Sequence, residues 1–140
     1  MIRANELRKG NWVNCEGINY FVTQIMLNEL EAAKTVENID SYRTCNYEEV
    51  HPIPLTLEIL NKCQLIKQER FHYSNVFCTE NGNFIINQLR DSCEVSYGLD
   101  GNLAIIRKGN LFLHELQNLY FAVTAQELDD YIIAYNVSLH

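Results

Sequence analysis

The chain has little of what most recognisable chemistries need. Its 140 residues carry 11 Lys and Arg against 18 Asp and Glu, a formal net charge of −7. A protein that tracks a phosphate backbone needs surplus cations to displace counterions, so extended nucleic-acid binding is disfavoured. The five cysteines, Cys15, Cys45, Cys63, Cys78 and Cys93, are odd in number and none stand as CxxC. That argues against a zinc knuckle or redox pair and suits free, mostly buried thiols in a reducing cytoplasm. The six glycines fall in strand turns or strand ends, so there is neither a P-loop nor GxGxxG. No apolar run approaches the ~18 residues of a membrane span. Met1 is followed by Arg3, Glu6, Arg8 and Lys9 rather than by a signal-peptide core. No motif implies a cofactor.

What is present is ordinary globular material. Hydrophobic residues make up 47% and charged residues 21%, close to the average for a folded protein. Without repeat, low-complexity run or linker, residues 1–140 read as one domain, large enough to fold without a staple.

Local signals divide the chain. In "ELRKGNWVNCEGINYFVTQI", Trp12 and Val13 start one strand, and Tyr20, Phe21, Val22 and Ile25 belong to a second, with Glu16-Gly17 as the turn. This opening is SH3-like by analogy. Residues 27–50 are ambiguous: Leu27, Leu30 and Ala33 have helical spacing, yet a variable strand-loop region fits as well. Pro52 and Pro54, the only two prolines, force an extended segment, after which Thr56 stands as N-cap of a short helix with Leu57, Leu60 and Cys63 on one face. Asn81-Gly82 and Asp100-Gly101 mark two hairpins with type I′ turns, and "RFHYS" reads as an extra strand before them. "LHELQNLYFAVT" repeats apolar residues at helical spacing through Leu113, Leu116, Leu119, Tyr120 and Val123. "TAQE" at 124–127 reads as a capping box, so a second helix, or a sharp break, begins near Ala125 and carries Leu128, Tyr131 and Ile132. The fold class is α+β: a small curved antiparallel sheet, a short central helix and C-terminal helices.

His114-Glu115 raises the question of a zinc-protease helix. H-E-x-x-H places two imidazoles on one helical face, but here Asn118 stands where the second His must be. No cysteine or serine signature points to a nucleophile. The adjacent acid pairs Glu48-Glu49 and Asp129-Asp130 cannot converge on one substrate.

The candidate binding residues are cations and aromatics. Arg107 and Lys108, beside Gly109, would form a cationic rim with Arg3, Arg8 and Lys9 if the chain ends meet; otherwise they are a solvated strand end. Trp12, Tyr20, Tyr73, Tyr97 and Tyr120 are faces on which a base could stack, or sheet filler. The candidate ligand-binding set is Arg8, Lys9, Trp12, Tyr20, Tyr73, Tyr97, Arg107 and Lys108, with no catalytic or metal residue.

Three stretches together, "NELRKGNWV" at 5–13, "PIPLTLEIL" at 52–60 and "HELQNLYFAVTAQEL" at 114–128, resemble a family of small phage and prophage proteins of Bacteroides-type bacteria. The family pattern is an LR-x-GNWV opening, a central PIPLT-x-E-x-L and a closing H-x-LQNLYFALTG-x-EL. The match covers about a quarter of the chain, and its last stretch is the most specific. Gln64 and Ala125 depart from it where members often have Gly, at helix ends. Members also read H-Q-L-Q-N, which implies that Glu115 is no general base.

The resemblance implies a setting rather than a reaction: the cytoplasm of an infected cell. The expectation is a non-enzymatic phage accessory binding protein, in particular a counter-defence protein that sequesters a nucleotide immune signal at an oligomer interface. The alternatives are a protein–protein adaptor or inhibitor of a host or phage protein, and a nucleotide-cleaving hydrolase. The expected partners are a small nucleotide-like ligand or a host protein, with no extended nucleic acid and no membrane.

Overall fold

The computed structural model describes residues 2–34, 42–63, 65–68, 75–90 and 92–128. In chain order the strands and helices are β1 (Trp12–Cys15), β2 (Ile18–Ile25), β3 (Glu29–Ala33), β4 (Tyr42–Asn46), β5 (Val50–His51), α1 (Leu57–Lys62), β6 (Ile66–Gln68), β7 (Asn75–Cys78), β8 (Phe84–Gln88), β9 (Cys93–Tyr97), β10 (Ala104–Gly109) and α2 (Leu113–Thr124). Among the described residues no helix is long and apolar enough to cross a membrane.

Antiparallel sheet and helix do combine, but the sheet is not single. The strands form two five-stranded antiparallel sheets, ordered β4-β3-β2-β1-β5 and β10-β9-β8-β7-β6. The ambiguous stretch supplies β3 and β4, not a helix: Leu30, Ala32 and Ala33 are buried while Leu27 is 91% exposed. Strand pairing on both sides of β3 overrides the helical preference of "ELEAA". "RFHYS", Tyr131 and Ile132 lie outside the described residues.

Each sheet has its own core. Val13, Cys15, Tyr20, Val22, Leu30, Cys45 and Val50 pack within the first. Phe77, Phe84, Ile86 and Val95 of the second sheet pack with Leu60 of α1 and Leu113 and Leu116 of α2. Strand β1 is the seam: alternation sends Val13 and Cys15 into one core and Trp12 into the other. All five cysteines are buried and none is in a disulfide.

The turns follow local chemistry with one exception. Glu16 and Gly17 have φ of 53° and 84°, and Asp100 and Gly101 55° and 81°, as a type I′ turn requires. At Asn81-Gly82 only the glycine has positive φ. Gly82 N–H donates to Thr79 O at 2.9 Å, and Asn81 Oδ1 accepts from Asn83 N–H at 3.0 Å. The connection is a longer loop pinned by the Asn81 side chain, not a two-residue I′ turn.

The helix ends also divide. Thr56 Oγ1 accepts from Ile59 N–H at 3.2 Å, the N-cap expected. The buried face of α1 is Ile59, Leu60 and Cys63, with Leu57 turned to solvent. Helix α2 stops at Thr124, because Ala125 is left-handed at φ 59° and its N–H closes onto Phe121 O at 2.8 Å. The break is therefore real, and the capping box is not. Thr124 Oγ1 donates back to Tyr120 O at 2.6 Å, while Glu127 reaches Arg8.

Candidate binding surfaces

The three motif stretches hold one another. Gln117 is 2% exposed; its Oε1 accepts from Trp12 N–H at 2.8 Å and its Nε2 donates to Gly10 O at 3.0 Å. Asn118 Nδ2 donates to Glu6 O at 3.0 Å, and its Oδ1 accepts from Asn11 Nδ2 at 2.9 Å and Arg8 Nε at 3.3 Å. The middle stretch joins through Leu113 N–H to Ile53 O at 2.8 Å and a bridge between Pro54 and Phe112. Side-chain amides of a helix thus satisfy backbone groups that a neighbouring strand would otherwise have to satisfy.

The same junction engages His114 and Glu115. Glu115 accepts from the Phe112 N–H at 3.1 Å and from Arg107 Nη2 at 2.8 Å, so it caps the helix and holds an ion pair. His114 is 3% exposed and stacked on Phe112, with ring centroids 6.4 Å apart and planes 14° apart. Its Nδ1 is buried without a hydrogen-bond partner among the described residues. Burial pushes the His114 pKa down, against a smaller upward pull from Glu115 and Glu6. Two clefts of about 290 and 250 Å³ flank it, sharing Glu6, Arg107, His114 and Glu115. No group of three or more metal-ligating side chains occurs among the described residues.

The cationic rim does not assemble as a free anion site. Arg8 makes a two-pronged ion pair with Glu127 and lies over the Phe121 ring at 4.2 Å. Arg107 sits on Glu115, and Lys108 on Glu94 at 3.4 Å. Lys9 and Arg3 are exposed. Arg8 and Glu127 do bring the first and last motif stretches together, but they meet carboxylate to guanidinium. Trp12 is buried edge-on to Phe21 at 5.8 Å, and Tyr20 is buried with Arg43 over its ring at 5.6 Å. Neither offers a face to a ligand, which removes both from the candidate set. Tyr73 lies outside the described residues.

Tyr97 and Tyr120, of the candidate stacking aromatics, line a substantial opening. A groove of about 650 Å³ runs between the tips of the two hairpins and the C-terminal half of α2, bordered by Asn83, Phe84, Tyr97, Tyr120 and Gln126. Tyr120 stands edge-on to Phe84, centroids 5.1 Å apart. Among the described residues, Glu80 is the only charged side chain on its wall. The carbonyl end of α2 borders it too, which favours hydrogen-bond donors over anions there. The side chains of Glu80, Asn83, Tyr97, Tyr120 and Gln126 make no hydrogen bond among the described residues, whereas Arg8, Arg107 and Lys108 are all engaged. Asn83 and Gln126 had no signature in the sequence. Asn83 reads as part of a turn and Gln126 as part of a capping box, and only the approach of hairpin to helix makes them neighbours.

The chain matches no protein-family model, no curated protein and no solved structure.

Proposed function

We propose that this chain is a non-enzymatic phage binding protein that captures a small nucleotide-like ligand, holding the base in the Tyr97–Tyr120 groove and leaving the phosphates outside. The observation that carries this reading is the contrast between uncommitted and committed groups. Two tyrosine hydroxyls, two amides and a carboxylate line the groove with no hydrogen-bond partner among the described residues, while Arg8, Arg107 and Lys108 are paired. Aromatics and amides suit a base, which stacks and hydrogen-bonds along its edge. A wall that favours donors over anions suits donor-bearing ring edges and disfavours phosphate. The phage setting, and with it counter-defence by sequestering a nucleotide immune signal, rests on the resemblance of the three motif stretches.

Titration calorimetry with nucleosides and with linear and cyclic nucleotides tests it. Tyr97→Ala should weaken binding by roughly 1–3 kcal/mol, the worth of one stacked base, and Asn83→Ala should weaken it too. Arg107→Ala should leave it unchanged. Binding that ignores Tyr97→Ala but is lost with Arg107→Ala would move the site to the cationic strand end. Failure of every base to bind would end the small-ligand reading.

An adaptor or inhibitor of another protein is the second reading, favoured by the exposed Leu99, Leu103, Ile105 and Ile106. A hydrolase draws less support. Burial pushes the Cys93 thiol up and the Cys45 thiol up to about 12, so both are poor nucleophiles at neutral pH.

A further inference from the structure

Among the described residues, strand β10 is the outer strand of the second sheet and pairs only with β9. Residues 104–108 are all exposed. Ile105 is 57% and Ile106 39% exposed, and the hairpin leading into the strand adds Leu99 at 59% and Leu103 at 41%. An edge strand presents unpaired backbone donors and acceptors, and proteins blunt such edges with charge or a bulge. Here the bulge lies between Ile105 and Arg107, and the charges, Arg107 and Lys108, lie in the second half. The first half, from Leu103 to Ile106, is left bare.

Charge is also ordered along this hairpin. Asp100 sits at the turn, while Arg107 and Lys108 sit at the opposite end of the strand. Antiparallel pairing of a second copy about a two-fold axis near Ile105 and Ile106 sets aliphatic side chains against aliphatic side chains. It also brings each copy's acidic turn beside the other's basic end. Parallel pairing would stack Arg107 and Lys108 on their own counterparts. The side chains of Arg107 and Lys108 are 46% and 67% exposed, so each can keep its carboxylate and still face the other copy's acidic turn.

We propose that β10 is a homodimer interface, in which two copies pair β10 to β10 antiparallel and join their second sheets into one continuous sheet. The contact is isologous, so it closes at two copies instead of growing into a fibre. It does not depend on the groove or its ligand.

Sedimentation velocity of the full chain, from low to high micromolar, tests the proposal alongside native mass spectrometry. A dimer is expected. Ile105→Lys should weaken it by about tenfold or more, equivalent to ~1.4 kcal/mol. Asp100→Asn should weaken it less and reduce its salt dependence, since Asn tolerates the left-handed backbone at that position. Leu27→Lys, at an exposed residue of the β2–β3 connection, should change nothing. Ile105 faces solvent, so circular dichroism and thermal melting of Ile105→Lys should match the parent and separate lost association from lost folding. A monomer at all concentrations, with or without another polypeptide bound, overturns the proposal. So does a dimer indifferent to Ile105→Lys, or one lost equally with Leu27→Lys.

Discussion

Gln117 holds Trp12 by its backbone. The amide of one helical side chain accepts from the Trp12 N–H at 2.8 Å and donates to the Gly10 carbonyl at 3.0 Å, bonding the entry of β1 much as a strand neighbour would. The indole of Trp12 then drops into the core shared with Leu113 and Leu116. Gln117→Leu keeps the volume but strands a buried N–H and a half-buried carbonyl. A loss of roughly 2–3 kcal/mol is expected in urea unfolding. Leu116→Ala, an ordinary core truncation, should cost roughly 2–5 kcal/mol. A Gln117→Leu protein as stable as its parent would show the clasp to be decorative.

Ala125 occupies a position suited to glycine. Its φ of 59° closes α2, and a Cβ in that conformation costs roughly 1–2 kcal/mol. Ala125→Gly removes that strain but gives the unfolded chain more freedom, which takes back roughly 0.4–1 kcal/mol. A net gain of about 0.5–1 kcal/mol should appear as a raised thermal midpoint. A lowered midpoint would mean that Ala125 is not left-handed in solution.

Gly98 is required for a different reason. Its backbone is not left-handed, but a Cβ there would lie 2.0 Å from the Asn102 carbonyl oxygen. That neighbour is backbone of the β9–β10 turn and cannot swing aside. Gly98→Ala should cost more than ~2 kcal/mol by overpacking. Gly17→Ala meets nothing within 4 Å and suffers only from its φ of 84°, so roughly 1–2 kcal/mol is expected. Equal losses at the two sites in parallel denaturation curves would refute the clash.

His114 sets an acid limit on stability. Its folded pKa lies below the ordinary 6.5, because burial disfavours the imidazolium more than Glu115 and Glu6 favour it. The unfolded chain therefore binds the proton first as pH falls. Stability from this group is full above the unfolded pKa, declines from there toward the folded pKa, and is level below it. His114→Phe retains a ring on Phe112 and should flatten that decline in urea midpoints taken between about pH 8 and pH 5, above the carboxylate range. An unchanged slope would assign the acid sensitivity to another group.

The sequence alone determined what depends on a few adjacent residues. The turn at Glu16-Gly17, positive φ at Asp100-Gly101, the Thr56 cap, the extended run at Pro52 and Pro54, and the apolar stripe of α2 were legible because each rests on local sterics or on one helical period. Even locally there were limits. Thr124 and Glu127 fit a capping box equally well on paper, but Glu127 is drawn to Arg8, far away in sequence.

Tertiary structure decided the rest. "ELEAA" became a strand because β2 and β4 flank it, and one expected sheet became two because β1 serves two cores. Arg8, Arg107 and Lys108 read as free cations until each met a carboxylate, and Asn83 and Gln126 read as turn and cap until hairpin and helix enclosed a groove. Local preferences differ by only a few tenths to one kcal/mol per residue, roughly. Burying a side chain or satisfying a backbone group is worth more, about 1–3 kcal/mol. Partners remote along the chain therefore outvote the local signal wherever the two disagree.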